Sequence, residues 1–208
     1  MEDEPELEFH SPHPLYENLP VVGGEEAECR LAALLAGQTG FPLIDACLRC
    51  ASATGFLNFR MRALVTSFAC HGLRLDWREL MAPLGRLWTD YEPGIHVSQV
   101  QMQAGVVGIN TIRVYSPFKQ LKDQDPTLSF TRTWLPELTG ASDEMVFALG
   151  TNDGPIHPGY PAPLVDFTAE SRTMKDVLYA LRDSHEGKAA AEIVQKRHGS
   201  RRPRPGRR

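Results

Sequence analysis

The chain has 208 residues, 42% of them hydrophobic, and a net charge of −4. That is enough apolar content for one domain with a real core, and no apolar run is long enough to cross a bilayer. The acidic start, Met1-Glu2-Asp3-Glu4-Pro5, has no apolar stretch behind it and is not a secretory signal. Cys29, Cys47, Cys50 and Cys70 are therefore expected as reduced thiols in the cytoplasm. Residues 196–208, KRHGSRRPRPGRR, hold seven Lys/Arg and no acid; taking those charges off −4 leaves −11 for residues 1–195.

In chain order, residues 1–27 are rich in Pro and acid and are expected to be mostly extended. Helical periodicity starts near Glu26 and runs through CRLAALLAG, with Gly37 placed to end it. Pro42 suits the first turn of a helix PLIDACLRCASAT that stops at Gly55. In FLNFRMRALVTSFACHG, residues Leu57, Met61, Leu64, Val65 and Phe68 share one helical face. Asp76 and Glu79 have capping-box spacing before WRELMAPLGRLWTDY, where Pro83 predicts a kink or break. A short helix follows Pro93-Gly94, residues 105–118 read as loop, and TLSFTRTWLPEL reads as helix. Residues 140–170 read as irregular, a last helix spans roughly Ser171–Ser184, and AAAEIVQKR is a further candidate. β-alternation is scarce, so the class is an all-α helical bundle. Residues 186–208 are expected as a basic disordered tail, able to hold phosphates non-specifically or simply to solubilise. Cys47 and Cys50 form a CxxC on an apparent helix with no second pair at zinc spacing, and His10 and His13 have no acid or Cys cluster beside them; no metal site is expected.

The stretch GQTGFPLIDACLRCASATGFLNFRMRALVTSFACHGLRLDWREL, continued by DYEPGIHVSQVQMQAGVVGINTIRVYSPFKQLKDQDP, FTRTWLPEL and YPAPLVDFTAESR, resembles the helical flavin-binding domain of the cryptochrome/DNA photolyase family over residues 37–172. FLNFRMR stands where the family has WMHNRLR, and YEPGIHVSQVQMQ where it has GDLAANNGGWQWA, which points to a cryptochrome-like branch. Residues 28–185 would then be the C-terminal part of that domain. The resemblance implies that the family's antenna domain, its Thr-Ser-rich diphosphate loop and its WR-E helix lie outside this sequence. The cofactor implied is FAD, with blue-light-dependent redox chemistry and, if the chain acts on DNA, deoxyribodipyrimidine photolyase-like lyase activity.

By the same resemblance Arg62 and Asp90 match an Arg–Asp pair beside the isoalloxazine; read from the residues alone, they are an ion pair tying two segments. Glu92 matches an acid on the pyrimidine edge. Tyr91 replaces a glycine there, a constraint if that position needs positive φ. His96 matches the residue facing flavin N5, where it could donate or deliver a proton; alone it is a polar histidine. Asn58, Phe59 and Arg60 match the HNR triplet, with Phe59 otherwise plain core. Trp77 matches the middle member of an electron-passing tryptophan triad whose flavin-proximal position reads Val100; core packing is its ordinary role, and Trp88, Tyr91 and Tyr115 are substitutes by residue type. Met102 stands where an aromatic meets a flipped base, and Arg60 and Arg113 are candidates for DNA phosphate. Two other functions are compatible with the sequence: a flavin-free helical module binding DNA or protein, and one part of a pocket completed by a separately encoded N-terminal part or by a homodimer.

Overall fold

The computed structural model describes residues 5–198, and all regular structure among them is helical. Ten helices follow in order: α1 Gly24–Leu35, α2 Pro42–Thr54, α3 Phe59–Ser67, α4 Trp77–Gly85, α5 Pro93–Ala104, α6 Pro117–Gln124, α7 Ser129–Trp134, α8 Asp143–Ala148, α9 Phe167–Asp183 and α10 His185–His198. The all-α expectation holds. The α3 stripe of Leu57, Met61, Leu64, Val65 and Phe68 is buried as its spacing requires.

α2 is the centre of the bundle, packing against α1, α3, α6 and α7, while α5 lies across α3 and α4. Phe68 begins a π-helical turn, Phe68–Gly72, that continues α3. It meets Phe41 edge-on at 4.8 Å and stacks on Phe167 at 5.8 Å, so the start of α9 is tied to the entry of α2. The entry of α2 is also held by a buried polar knot. The Asp45 carboxylate accepts from the backbone N–H of Thr39 (2.8 Å), the Thr39 hydroxyl (2.6 Å), the N–H of Gly40 (3.0 Å) and the Tyr160 hydroxyl. Gly40 has φ +82°, and a Cβ there would lie 2.4 Å from the Ala162 carbonyl oxygen; only glycine lets residues 160–164 pass so close.

Both chain ends differ from expectation. Residues 5–23 are not extended but turn twice in 3₁₀ geometry, at Pro5–Glu8 and Pro14–Tyr16, because their few apolar groups find the core. Tyr16 is buried, and the Gln101 amide on α5 donates to the carbonyls of Leu7 and His10. The first part of the expected disordered tail is α10: Val194 is buried, and the His13 imidazole donates to the Gly187 carbonyl at 3.1 Å. The remainder of that tail, residues 199–208, and residues 1–4 lie outside the described residues. α6 and α8 occupy segments read as loop or irregular, and α4 stops at Gly85, two residues after Pro83.

His71 is fully enclosed, with Nε2 donating to the Gln103 carbonyl at 3.0 Å and Nδ1 lacking a partner among the described residues. Burial pushes its pKa down to about 4. The unfolded chain therefore binds a proton that the folded chain refuses. The stability this site contributes is present above pH 6.5 and is lost as pH falls toward 4. The stability difference between wild type and His71→Gln, read from urea unfolding, is expected to shrink by about 2 kcal/mol between pH 7 and pH 5. A pH-independent difference would mean that His71 protonates without leaving its place.

Candidate functional site

A cleft of about 270 Å³ opens where α3, α5 and the segment 86–92 meet. Two local signals build it. Gly55 ends α2 in the left-handed conformation, φ 70°, and turns the chain into Phe56 and Leu57. The Gly55 carbonyl then accepts from both the backbone N–H (3.0 Å) and the hydroxyl (3.2 Å) of Thr89. That clasp draws residue 90 toward α3, which starts at Phe59 because the Asn58 side chain caps it by accepting from the Met61 N–H.

Arg62 stands on the first turns of α3 and lines the cleft. Its Nε donates to the Leu57 carbonyl at 2.6 Å and its Nη2 to Asp90 at 2.8 Å, while the guanidinium carbon sits 4.5 Å from the Trp88 ring centroid. Nη1 has no hydrogen-bond partner among the described residues. The Arg62 hydrogen bond, above all, holds the Asp90 carboxyl below the usual range. Three contacts thus fix one planar cation in a wall that also contains Leu57, Ala63, Leu84 and Val100.

His96 lines the cleft from α5 and stacks obliquely with Tyr91, ring centroids 5.3 Å apart. A carbonyl can only accept, so the 2.9 Å contact to the Met81 carbonyl places the imidazole proton on Nε2. Burial lowers the His96 pKa. The neutral ring therefore has its one N–H committed to the backbone, and Nδ1 is an acceptor. Donation from His96 to a ligand would require this N–H to leave Met81 or a second proton to bind. The Glu92 carboxylate caps α5, accepting from Gly94 N–H at 3.1 Å and Ile95 N–H at 2.7 Å, a use its place before Pro93-Gly94 explains. Tyr91 is not at positive φ; among the described residues only Arg74 and Leu128 are non-glycines there.

Phe59 is 62% exposed, not core. It shares the cleft rim with Phe56, Tyr91 and Ile95, which are 57%, 46% and 63% exposed. Half of the eight large apolar side chains exposed among the described residues thus surround one opening. Such clustering marks a surface meant to be covered. The cleft unites Phe59, Arg62, Asp90, Tyr91, Glu92 and His96. It does not include Arg60, Met102 or Arg113; Arg60 and Arg113 are exposed and Met102 is half-buried. Trp77 is buried against Arg78, 4.6 Å from its guanidinium, and lines a different, small crevice beside Tyr16. Trp88 is the tryptophan in the cleft wall. Sequence reading missed Gln99, Phe56 and Ile95 as lining residues. Gln99 and His96 lie three residues apart on a helix, which was the available signal for the former.

The residues fit a flat heteroaromatic ring with a polar edge: apolar walls and one oriented guanidinium. They do not supply a diphosphate cradle, since Arg62 is the one Arg or Lys lining the cleft and two carboxylates stand beside it. The volume is near the lower end for small-molecule sites, which run roughly 300–1,000 Å³.

Fold and cleft together define a helical domain of flavin-binding type. Residues 1–180 match the family model described as the FAD binding domain of DNA photolyase, and the chain belongs to that family. It is 32% identical over 136 residues to the deoxyribodipyrimidine photo-lyase of Vibrio cholerae, covering 64% of this chain and 29% of that protein. With the cryptochrome DASH of Gloeobacter violaceus it shares 30% identity over 169 residues, 73% of this chain and 32% of that one. The chain thus spans about a third of the length of these curated relatives. The archaeal photolyase of Sulfolobus tokodaii, solved with two FAD molecules, superposes with a TM-score of 0.76 at 29% identity, over 86% of this chain and 40% of its own. The Synechocystis cryptochrome gives a TM-score of 0.68 at 26% identity, over 83% and 37% respectively. Among the described residues no helix is long and apolar enough to cross a membrane, and no group of three or more His, Cys, Asp or Glu could hold a metal ion.

Proposed function

We propose that the cleft between α3 and α5 binds the isoalloxazine ring of FAD, and that this chain supports light-dependent flavin redox chemistry. The observation that carries the reading is the fixed guanidinium of Arg62, held by Leu57, Asp90 and Trp88 in an apolar wall. When bound, FAD supplies the electron-transfer chemistry and the blue-light absorption. The protein's part is placement and charge. Arg62 presents a permanent cation to negative charge arising on the ring. His96 Nδ1, as an acceptor, favours whichever form of the ring carries a hydrogen on the atom facing it. Leu57, Val100 and the rim residues exclude water. The DNA-facing role expected of Arg60, Met102 and Arg113 draws no support from the cleft, which none of the three lines. The relay role expected of Trp77 is better supported at Trp88.

Because the lining offers no diphosphate cradle, FAD and riboflavin are expected to bind the full-length chain with affinities within about threefold of each other, measured by quenching of flavin fluorescence. FAD binding a hundredfold tighter than riboflavin would show a phosphate site elsewhere. Absence of binding by both would sink the flavin reading. It would favour the flavin-free module, for which the exposed rim of Phe56, Phe59, Tyr91 and Ile95 speaks: a second polypeptide surface, from another copy or a separately supplied part, would cover it.

A further inference from the structure

Resting on the flavin reading, we infer that Gln103 is a specificity-determining residue of the cleft, its side-chain amide selecting a planar ring with an amide-like N–C=O edge. Gln103 lies near the end of α5, two turns beyond His96, and lines the same cleft. The residue is only 6% exposed. Its side-chain amide has no hydrogen-bond partner among the described residues, yet its polar atoms are not sealed from solvent. The surface those atoms keep is the surface Gln103 gives to the cleft.

The backbone beneath this side chain is fixed. The Gln103 carbonyl accepts from Nε2 of the enclosed His71 at 3.0 Å, so the amide works from an anchored base. A carboxamide offers donors and an acceptor side by side. Without a ligand its partner is solvent. A ring that displaces the solvent must match the amide or leave it unpaired, at a cost of about 1–3 kcal/mol. Rings are therefore sorted by whether they carry both a donor and an acceptor on one edge. The pyrimidine-dione edge of an isoalloxazine does. The amide is also this chain's own feature. In the family stretch GDLAANNGGWQWA, tryptophan stands at the place of Val100 and alanine at the place of Gln103. Residues 100 and 103 are neighbours on one helix face, and both line the cleft. Bulk has moved one turn along that face and gained a polar end.

The test compares lumiflavin with phenazine, a tricycle without the dione edge, by equilibrium dialysis against the full-length chain. Gln103→Leu is expected to bind lumiflavin about tenfold more weakly than wild type, about 1.4 kcal/mol. It should bind phenazine at least as tightly as wild type does, so that the cycle isolates the amide from the other cleft residues. Gln103→Ala, which is too small to clash with either ring, is expected to show the same lumiflavin loss. The urea midpoint of both ligand-free variants should stay close to wild type for Leu and fall little for Ala. Unchanged lumiflavin binding in both variants overturns the assignment. Equal loss of both rings with a lowered urea midpoint also overturns it, and makes Gln103 a packing residue. If wild type binds no lumiflavin, the flavin reading itself fails and the role of Gln103 falls with it, an outcome distinct from binding that ignores the amide.

Discussion

Asp45→Ala is expected to lower the free energy of unfolding by about 4 kcal/mol, because it strands several buried donors at once. Thr39 N–H, Gly40 N–H and the hydroxyls of Thr39 and Tyr160 all point at this carboxylate. Asp45 is fully buried, and burial raises its pKa while Thr39, Tyr160 and Gly40 pull against that rise. The group is therefore held by its donors and not by a counter-ion. Without it the segment 160–164 loses its anchor to the entry of α2, although the Leu164 N–H still reaches the Thr39 carbonyl at 2.9 Å. Tyr160→Phe removes one of the four bonds and keeps the ring, so about 1–2 kcal/mol is expected there. Urea unfolding followed by circular dichroism measures both. A loss under 1 kcal/mol for Asp45→Ala would mean that the stranded donors re-pair with water or backbone and that the knot is not what fixes α2.

How much of this could be read from the sequence depends on which signals were local. α2 was legible because Pro42 opens it and Gly55 closes it, and α3 because its apolar stripe has helical spacing. α6 and α8 were missed although each carries a start signal. The Ser116 hydroxyl accepts from Lys119 N–H and the Ser142 hydroxyl from Met145 N–H, both ordinary caps. Their helices span only eight and six residues, too short for periodicity to stand out. The N-terminal turns were illegible for a different reason: Ser11 and His13 are held by partners 90 or more residues away, the carbonyls of Val106 and Gly187.

The site divides in the same way. Arg62, Asp90 and His96 were reached through the family resemblance, and the cleft does bring them together. The roles of individual atoms were not legible. Nothing in the string of residues says that the His96 N–H is spent on Met81, or that Glu92 is spent on capping α5, since both depend on the position of neighbouring backbone. Core was the ordinary alternative for Phe59, since a helical Phe is usually buried; it lies instead at the first residue of α3, where the helix emerges at the rim of the cleft.

Arg62→Ala is expected to weaken flavin binding about a hundredfold while leaving the unfolding midpoint nearly unchanged. The two effects separate because the ion pair with Asp90 is partly open to water, side chains 24% and 56% exposed, where such pairs add little stability. Its consequence is orientation: with Nε and Nη2 occupied and Trp88 beneath, the guanidinium has one place to be, and a ligand meets it without an ordering cost. Arg62→Lys is the sharper probe. Lysine keeps the charge but cannot reach Leu57 and Asp90 in one plane or lie flat on the indole, so an intermediate loss of about tenfold is expected if geometry matters beyond charge. Lysine at wild-type affinity would reduce Arg62 to a point charge. A large fall in the unfolding midpoint for Arg62→Ala, with flavin binding intact, would make the residue a strut between α3 and the segment 86–92, and the cleft would need another group to orient the ring.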